Sequence, residues 1–263
     1  MSLRGNFAKI ALIIIVAASV AGSFWFYKKI TSPKIIYPTI RVVVPEGYTA
    51  LQIDDLLYEK KIIIDKGSIA AFDIDLIKSD FWFLKDARGI EGFLFPDTYE
   101  FYLGSTPEVV VRRFLKNFEA KATTLFFKRD EVYRKLILAS LIEKEVKDDG
   151  NDRRLIASLI DKRDKAGMYL GIDAALCYAK DRRGCGREGV LSQDKKINSP
   201  YNTYRNKGFP PTPIANPGRS AIAAALSPIS SPYWYYLSDP NTGRTVFSRT
   251  LDEHSDNIVK YLR

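Results

Sequence analysis

The eighteen residues from Ile10 to Tyr27 contain no charged side chain. A run of that length is long enough to cross the hydrocarbon of a bilayer, which takes about 17–25 apolar residues in a helix. Its far end, Phe24-Trp25-Phe26-Tyr27 followed by Lys28-Lys29, has the make-up of an interfacial belt. A cleavable signal peptide is the rival reading, but its apolar stretch usually covers about 7–15 residues and ends in small side chains. Residues 1–29 are therefore expected to be an uncleaved N-terminal membrane anchor, and 30–39 a linker. Arg4 and Lys9 nearly balance Lys28, Lys29 and Lys34, so flanking charge does not choose the orientation. The short tail and the large C-terminal body favour an extracytoplasmic body.

That body is basic, with a net charge of +9 over the whole chain. Such a balance favours an anionic partner, whether nucleic acid, membrane surface or cell-wall polymer. The cations are dispersed in pairs such as Arg112-Arg113 and Lys195-Lys196, without the clustered basic and aromatic stripe of a nucleic-acid binder. Cys177 and Cys185 form no CxxC, and His254 is the sole histidine, so a Cys/His zinc site is excluded. Two free thiols and one disulfide loop both fit. HExxH, GxSxG and Walker A patterns are missing. Carboxylate chemistry remains, with no metal or organic cofactor expected.

The patterning predicts an α+β fold. Arg41–Val44 reads as a strand, Pro45-Glu46-Gly47 as a turn, and Thr49 with Gln52 as a capping box opening a helix to about Lys60. Ile62-Ile63-Ile64 and Asp65 lead into an expected second helix. A strand and two short helices resemble a LysM-like glycan-binding module over 40–84. From Lys85 onward, the aromatic stretch Glu91–Phe101 fits an edge strand, with Pro96 inside it. Thr106-Pro107 opens a helix to about Ala122. Asp130–Val146 reads as a strong helix closed by Asp148-Asp149-Gly150. Asn151 opens another, and Ala174–Ala179 a short one. Ser199–Gly218, rich in Pro, Asn and Gly, cannot be regular helix. Arg219–Leu226 is helical. Tyr233–Ser238 and Thr245–Ser248 form a hairpin, and Thr250 with Glu253 caps a last helix.

The helix over 130–146 is apolar almost all round, which makes it central to the core. Its two carboxylates, Glu143 and Glu145, stand two residues apart and so point about 200° away from each other. They cannot work as a facing pair. On this helix alone, both read as surface charges paired with Lys144 or Lys147. Glu145 has Leu141 and Ile142 one turn below it and lies near the helix C-terminus; both conditions raise a carboxyl pKa.

Three blocks then resemble one family: Glu91-Gly92-Phe93-Leu94-Phe95-Pro96-Asp97-Thr98-Tyr99, Ala139-Ser140-Leu141-Ile142-Glu143-Lys144-Glu145, and Tyr201-Asn202-Thr203-Tyr204 with Gly208–Gly218. Their order and spacing are similar to those of the YceG-like (MltG) endolytic murein transglycosylases, over residues 40–263. The resemblance implies a small LysM-like subdomain (40–84) and a larger mixed α/β catalytic domain (85–263) on an inner-membrane anchor. It implies cleavage of the MurNAc-β-1,4-GlcNAc bond to a 1,6-anhydro end, terminating strand growth. Glu145 falls on the catalytic position and Glu143 on a supporting one. Glu143, Asp173, Tyr201, Asn202, Thr203 and Tyr204 are the expected substrate contacts. Peptidoglycan strands are the expected partner, with peptidoglycan synthases as further candidates and nucleic acid excluded. The chain departs from the pattern at Leu170-Gly171-Ile172-Asp173-Ala174-Ala175, where many relatives carry a Gln and a Pro-Thr, and at Val146. A muramidase using water and a noncatalytic peptidoglycan-binding scaffold are the alternatives.

Overall fold

The computed structural model describes residues 3–31, 38–126, 128–146, 151–185 and 189–262, with side chains in the first helix described for 14–28. The chain divides into two compact units, 1–38 and 39–263. Most of the expected linker, and the expected helix stop at Asp148-Asp149-Gly150, lie outside the described residues.

The first unit is one helix, α1 (Leu3–Thr31), whose apolar residues are spread around its circumference rather than gathered on one face. Among the described residues no helix is both long and apolar enough to cross a membrane.

The second unit is mainly helical, with two small antiparallel sheets. Strand β1 (Thr39–Val43) pairs with β2 (Thr98–Tyr102) in the register Arg41↔Glu100. This sheet joins the expected 40–84 segment to the segment that follows it. Helix α2 (Ala50–Glu59) starts on the expected capping box: Thr49 Oγ1 accepts from Gln52 N, and Gln52 Oε1 accepts from Thr49 N. The second helix expected after Asp65 is replaced by turns and short 3-10 segments. Buried Asp54 holds this stretch: its carboxylate accepts from the backbone N–H groups of Gly67, Ile69 and Ala70 at 2.6, 2.6 and 3.3 Å. The strand expected over 91–101 is likewise shorter, because the amides of Gly92 and Leu94 are given to a side chain described below.

Helices α3 (Pro107–Lys121), α4 (Val132–Glu145), α5 (Asn151–Lys165), α6 (Asp173–Asp181) and α7 (Arg219–Leu226) build the rest. Helix α4 is central, as its all-round apolar surface requires, and packs on α5, α6 and α7. Small side chains on α7 (Ala221, Ala224, Ala225) let it approach closely. Phe83, Phe93 and Phe118 fill the other end of the core, with ring centroids 5.0–5.9 Å apart. The hairpin β3 (Tyr235–Ser238)–β4 (Thr245–Ser248) forms as expected, and α8 (Leu251–Leu262) packs on it. Cys177 and Cys185 are paired as a disulfide, which resolves the two readings left open by their spacing.

Candidate active site

The motif blocks converge around α4, and most of their polar atoms are consumed in holding one another. Asn216 is fully buried. Its Oδ1 accepts from the N–H groups of Gly92 and Leu94, both at 2.9 Å. Its Nδ2 donates to Tyr48 O and to Glu91 Oε1, both at 2.9 Å. One amide thus ties three segments far apart in sequence. Gly92 has φ +91°, and a Cβ there would lie 2.6 Å from Pro213 Cγ, so glycine is required. Ser140 Oγ accepts from Ile214 N at 3.0 Å, and Glu143 Oε2 accepts from Gly218 N at 3.0 Å. Between them these bonds staple the Pro-rich loop along α4.

Glu91 is a buried hub. Its carboxylate accepts from Ala50 N, Tyr178 Oη and Asn216 Nδ2 at 2.9–3.1 Å. Burial still pushes its carboxyl up to about 7, against those donors.

Glu143 and Glu145 diverge as helix geometry demands. The Glu143 side chain is 7% exposed and, besides Gly218, accepts from Arg153 Nη2 at 3.3 Å. These bonds tie α4 to α5 and to the Pro-rich loop. Glu145, half-buried at the last turn, faces elsewhere. Its Oε2 accepts from Tyr236 Oη at 2.7 Å, and the backbone N–H of Ala174, in the first turn of α6, also donates to it. Burial holds its carboxyl above the usual glutamate range, and the nearby Asp173 charge adds to this; the two donors pull the other way.

Asp173 opens α6 and accepts from Tyr204 Oη at 2.5 Å. Desolvation, then this bond, keeps the Tyr204 phenol protonated well above its ordinary range. Tyr204, Asp173 and Glu145 therefore come together. Asn202 and Thr203 do not join them. They are 0% and 1% exposed. Asn202 Nδ2 donates to Lys195 O and Ile197 O at 3.1 and 2.8 Å, and Thr203 Oγ1 accepts from Ile172 N at 2.8 Å. The polar side-chain atoms of both residues are bonded to backbone and hold the loop. Tyr201 is half-buried, with its hydroxyl 2.8 Å from Thr212 Oγ1 and its ring against Tyr178. In the departing segment, Gly171 takes φ +63° and faces the Tyr204 ring, so the altered residues shape the turn beneath this tyrosine.

Tyr236 and Arg163 lie outside every motif block. Arg163, on α5, donates through Nε to Trp234 O at 2.7 Å and through Nη1 to Leu170 O at 2.8 Å. It thereby ties the entry of the hairpin to the segment before α6. The Tyr235-Tyr236 pair in a hairpin is the only available signal, and alone it is indistinguishable from sheet packing. Beside the first half of α4, a cleft of about 650 Å³ is lined by Tyr133, Arg134, Ile137 and the Phe209–Pro211 segment.

A sequence model described as the YceG-like family matches residues 20–260. A Bacillus subtilis (strain 168) protein named endolytic murein transglycosylase is 35% identical over 253 residues, covering 89% of this chain and 68% of that protein. A Streptococcus pneumoniae protein (serotype 2, strain D39) of the same name is 30% identical over 179 residues, covering 66% of this chain and 32% of its own length. A crystal structure of a yceG-like protein from Listeria monocytogenes matches with a TM-score of 0.72 at 30% identity, over 89% of this chain and 80% of that one.

Proposed function

The chain belongs to the YceG-like family, and from that premise we propose that it is an endolytic murein transglycosylase in which Glu145 is the single acid and base. The observation that carries this reading is the state of Glu145: a half-buried carboxyl, held by two donors and kept above the usual glutamate range.

As an acid, Glu145 protonates the glycosidic oxygen between MurNAc C1 and GlcNAc O4, and the C1–O bond breaks. The resulting carboxylate takes the proton of the MurNAc 6-hydroxyl. O6 closes on C1, giving a 1,6-anhydro end and a free GlcNAc 4-hydroxyl. No water is consumed, and no second facing carboxylate is needed. Glu143, turned away and bonded to Arg153 and Gly218, fits that requirement. Asp173 helps Glu145 keep its proton and, with Tyr204 and Tyr201, is our choice for sugar contact. Asn202 and Thr203 act from behind, by fixing the loop.

The same reading makes α1 a single-pass anchor, with the body outside the cytoplasmic membrane and 40–84 a LysM-like glycan-binding segment. Support comes from the uncharged run Ile10–Tyr27 and from the exposed Phe24, Trp25, Phe26 and Tyr27. Fractionation of the full chain through alkaline carbonate tests the anchor; release into the supernatant would remove it.

Mass spectrometry of glycan products tests the chemistry. Anhydro ends from the wild type and none from Glu145→Gln are expected. Reducing ends alone would instead mean a muramidase. Activity should also fall as pH rises through the raised Glu145 pKa, because only the protonated acid starts the reaction.

A further inference from the structure

Tyr236 is in none of the blocks that carry the family resemblance. Yet among the described residues it makes the one side-chain hydrogen bond to Glu145, at 2.7 Å to Oε2. Its placement does not depend on that bond. The hairpin pairs Tyr236 with Phe247. Arg163 grips the hairpin at Trp234 O, and Lys162 Nζ donates to Ser231 O at 3.0 Å just before it. Tyr235 stacks on His254 of α8 at 5.3 Å, and Asn257 donates to Ser248 Oγ at 3.0 Å. Helices α5 and α8 thus hold the phenol at a fixed point beside the carboxyl.

A carboxylic acid has one hydroxyl oxygen and one acceptor oxygen, and free rotation exchanges them. A phenol that donates to Oε2 makes it the acceptor. We propose that Tyr236 is a positioning residue that keeps the reacting proton of Glu145 on Oε1, so that the C-terminal hairpin is part of the catalytic machinery. This rests on Glu145 being the acid. The phenol suits this role because burial, followed by the neighbouring Glu145 charge, keeps it protonated and donating. The aromatic ring supplies packing; only the hydroxyl supplies orientation.

The test uses the purified full chain on uncrosslinked glycan strands, with kcat and KM for anhydro-end formation followed across pH. Tyr236→Phe keeps the ring and deletes the donor. It should lower kcat roughly 10- to 100-fold, as loss of orientation does, with KM within about twofold of wild type on the view that the bond acts on the acid rather than on binding. Because the lost bond favoured the carboxylate, the alkaline limb of kcat should move to higher pH. 3-Fluorotyrosine at 236, a more acidic donor of nearly the same shape, should move that limb to lower pH. An unchanged kcat and limb in Tyr236→Phe overturns the proposal. So does a kcat loss with an unmoved limb and a lowered melting temperature, the mark of a merely structural role. If Tyr236→Phe does not fold, an unmoved limb in the fluorotyrosine enzyme overturns it alone. An active Glu145→Gln removes the acid and this inference together, whereas an inactive Glu145→Gln beside an unaffected Tyr236→Phe removes only the inference.

Discussion

Glu91 and Glu145 are both carboxyls that burial pushes upward, and they end in opposite situations. Glu91 is 4% exposed and surrounded by three donors, from α2, α6 and the loop at Asn216. Its lone pairs are spoken for, and nothing can reach them. Glu145 is half-buried, with one side-chain donor and one backbone donor. Desolvation raises both, so the shift itself does not single out the proposed acid. What differs, among the described residues, is that Glu145 has fewer donors and is partly exposed. The same contrast separates Glu143 from Glu145, two residues apart on one helix, since the former is closed off by Arg153 and Gly218.

The largest expected effect lies at the proposed acid. Glu145→Gln should lower anhydro-end formation by about a thousandfold or more, within the range for loss of a general acid and base, while leaving the melting temperature nearly unchanged. A fall in melting temperature comparable to that of a hub variant would break the distinction between the two regions. At the hub, Asn216→Ala should cost about 3–4 kcal/mol in urea unfolding, because it strands the amides of Gly92 and Leu94 in the interior. A cost below about 1 kcal/mol would mean that those amides find other partners.

Glu91 also carries a pH signature. Its proton is held in the folded state up to about pH 7, whereas an unfolded glutamic acid releases it near about 4.3. The protonated form therefore favours folding, and that contribution is present at low pH and lost as pH rises through about 7. The loss amounts to about 4 kcal/mol. Glu91→Gln should flatten the pH dependence of stability in this window. An unchanged slope would place the titration elsewhere. Opening the disulfide by Cys177→Ser should cost roughly 2 kcal/mol, since Cys177 and Cys185 close only a short loop. The smallest effect belongs to the exposed pair Arg41 and Glu100, 73% and 53% exposed. Arg41→Ala should change stability by about 0.5 kcal/mol or less, and a larger value would show that the β1–β2 sheet depends on its surface.

Local signals were legible wherever the chemistry is local. The capping box at Thr49 and Gln52, the Thr106-Pro107 start, the all-round apolar surface of α4 and the hairpin around Asp239–Arg244 each appear where the sequence places them. The second helix expected after Asp65 gives way to turns and short 3-10 segments, with the Asp54 carboxylate bonded to the amides of Gly67 and Ile69, a tertiary contact that local patterning does not show. Asn202 and Thr203 show a related ambiguity, since the structure buries both against backbone partners. A polar residue in a Pro-rich loop looks the same in sequence whether it faces a sugar or its own backbone.

At Glu145 the division is sharpest. The sequence alone determined that Glu143 and Glu145 diverge, because helical rotation between neighbours two apart is a property of the chain. It also placed Leu141 and Ile142 beneath Glu145 and so foretold the upward shift. Which carboxylate closes off, and which oxygen of the other keeps a proton, was decided only by the tertiary structure. Those answers depend on Arg153, Gly218 and Tyr236, donors that lie 10, 75 and 91 residues away from their carboxylates and are brought there only by packing.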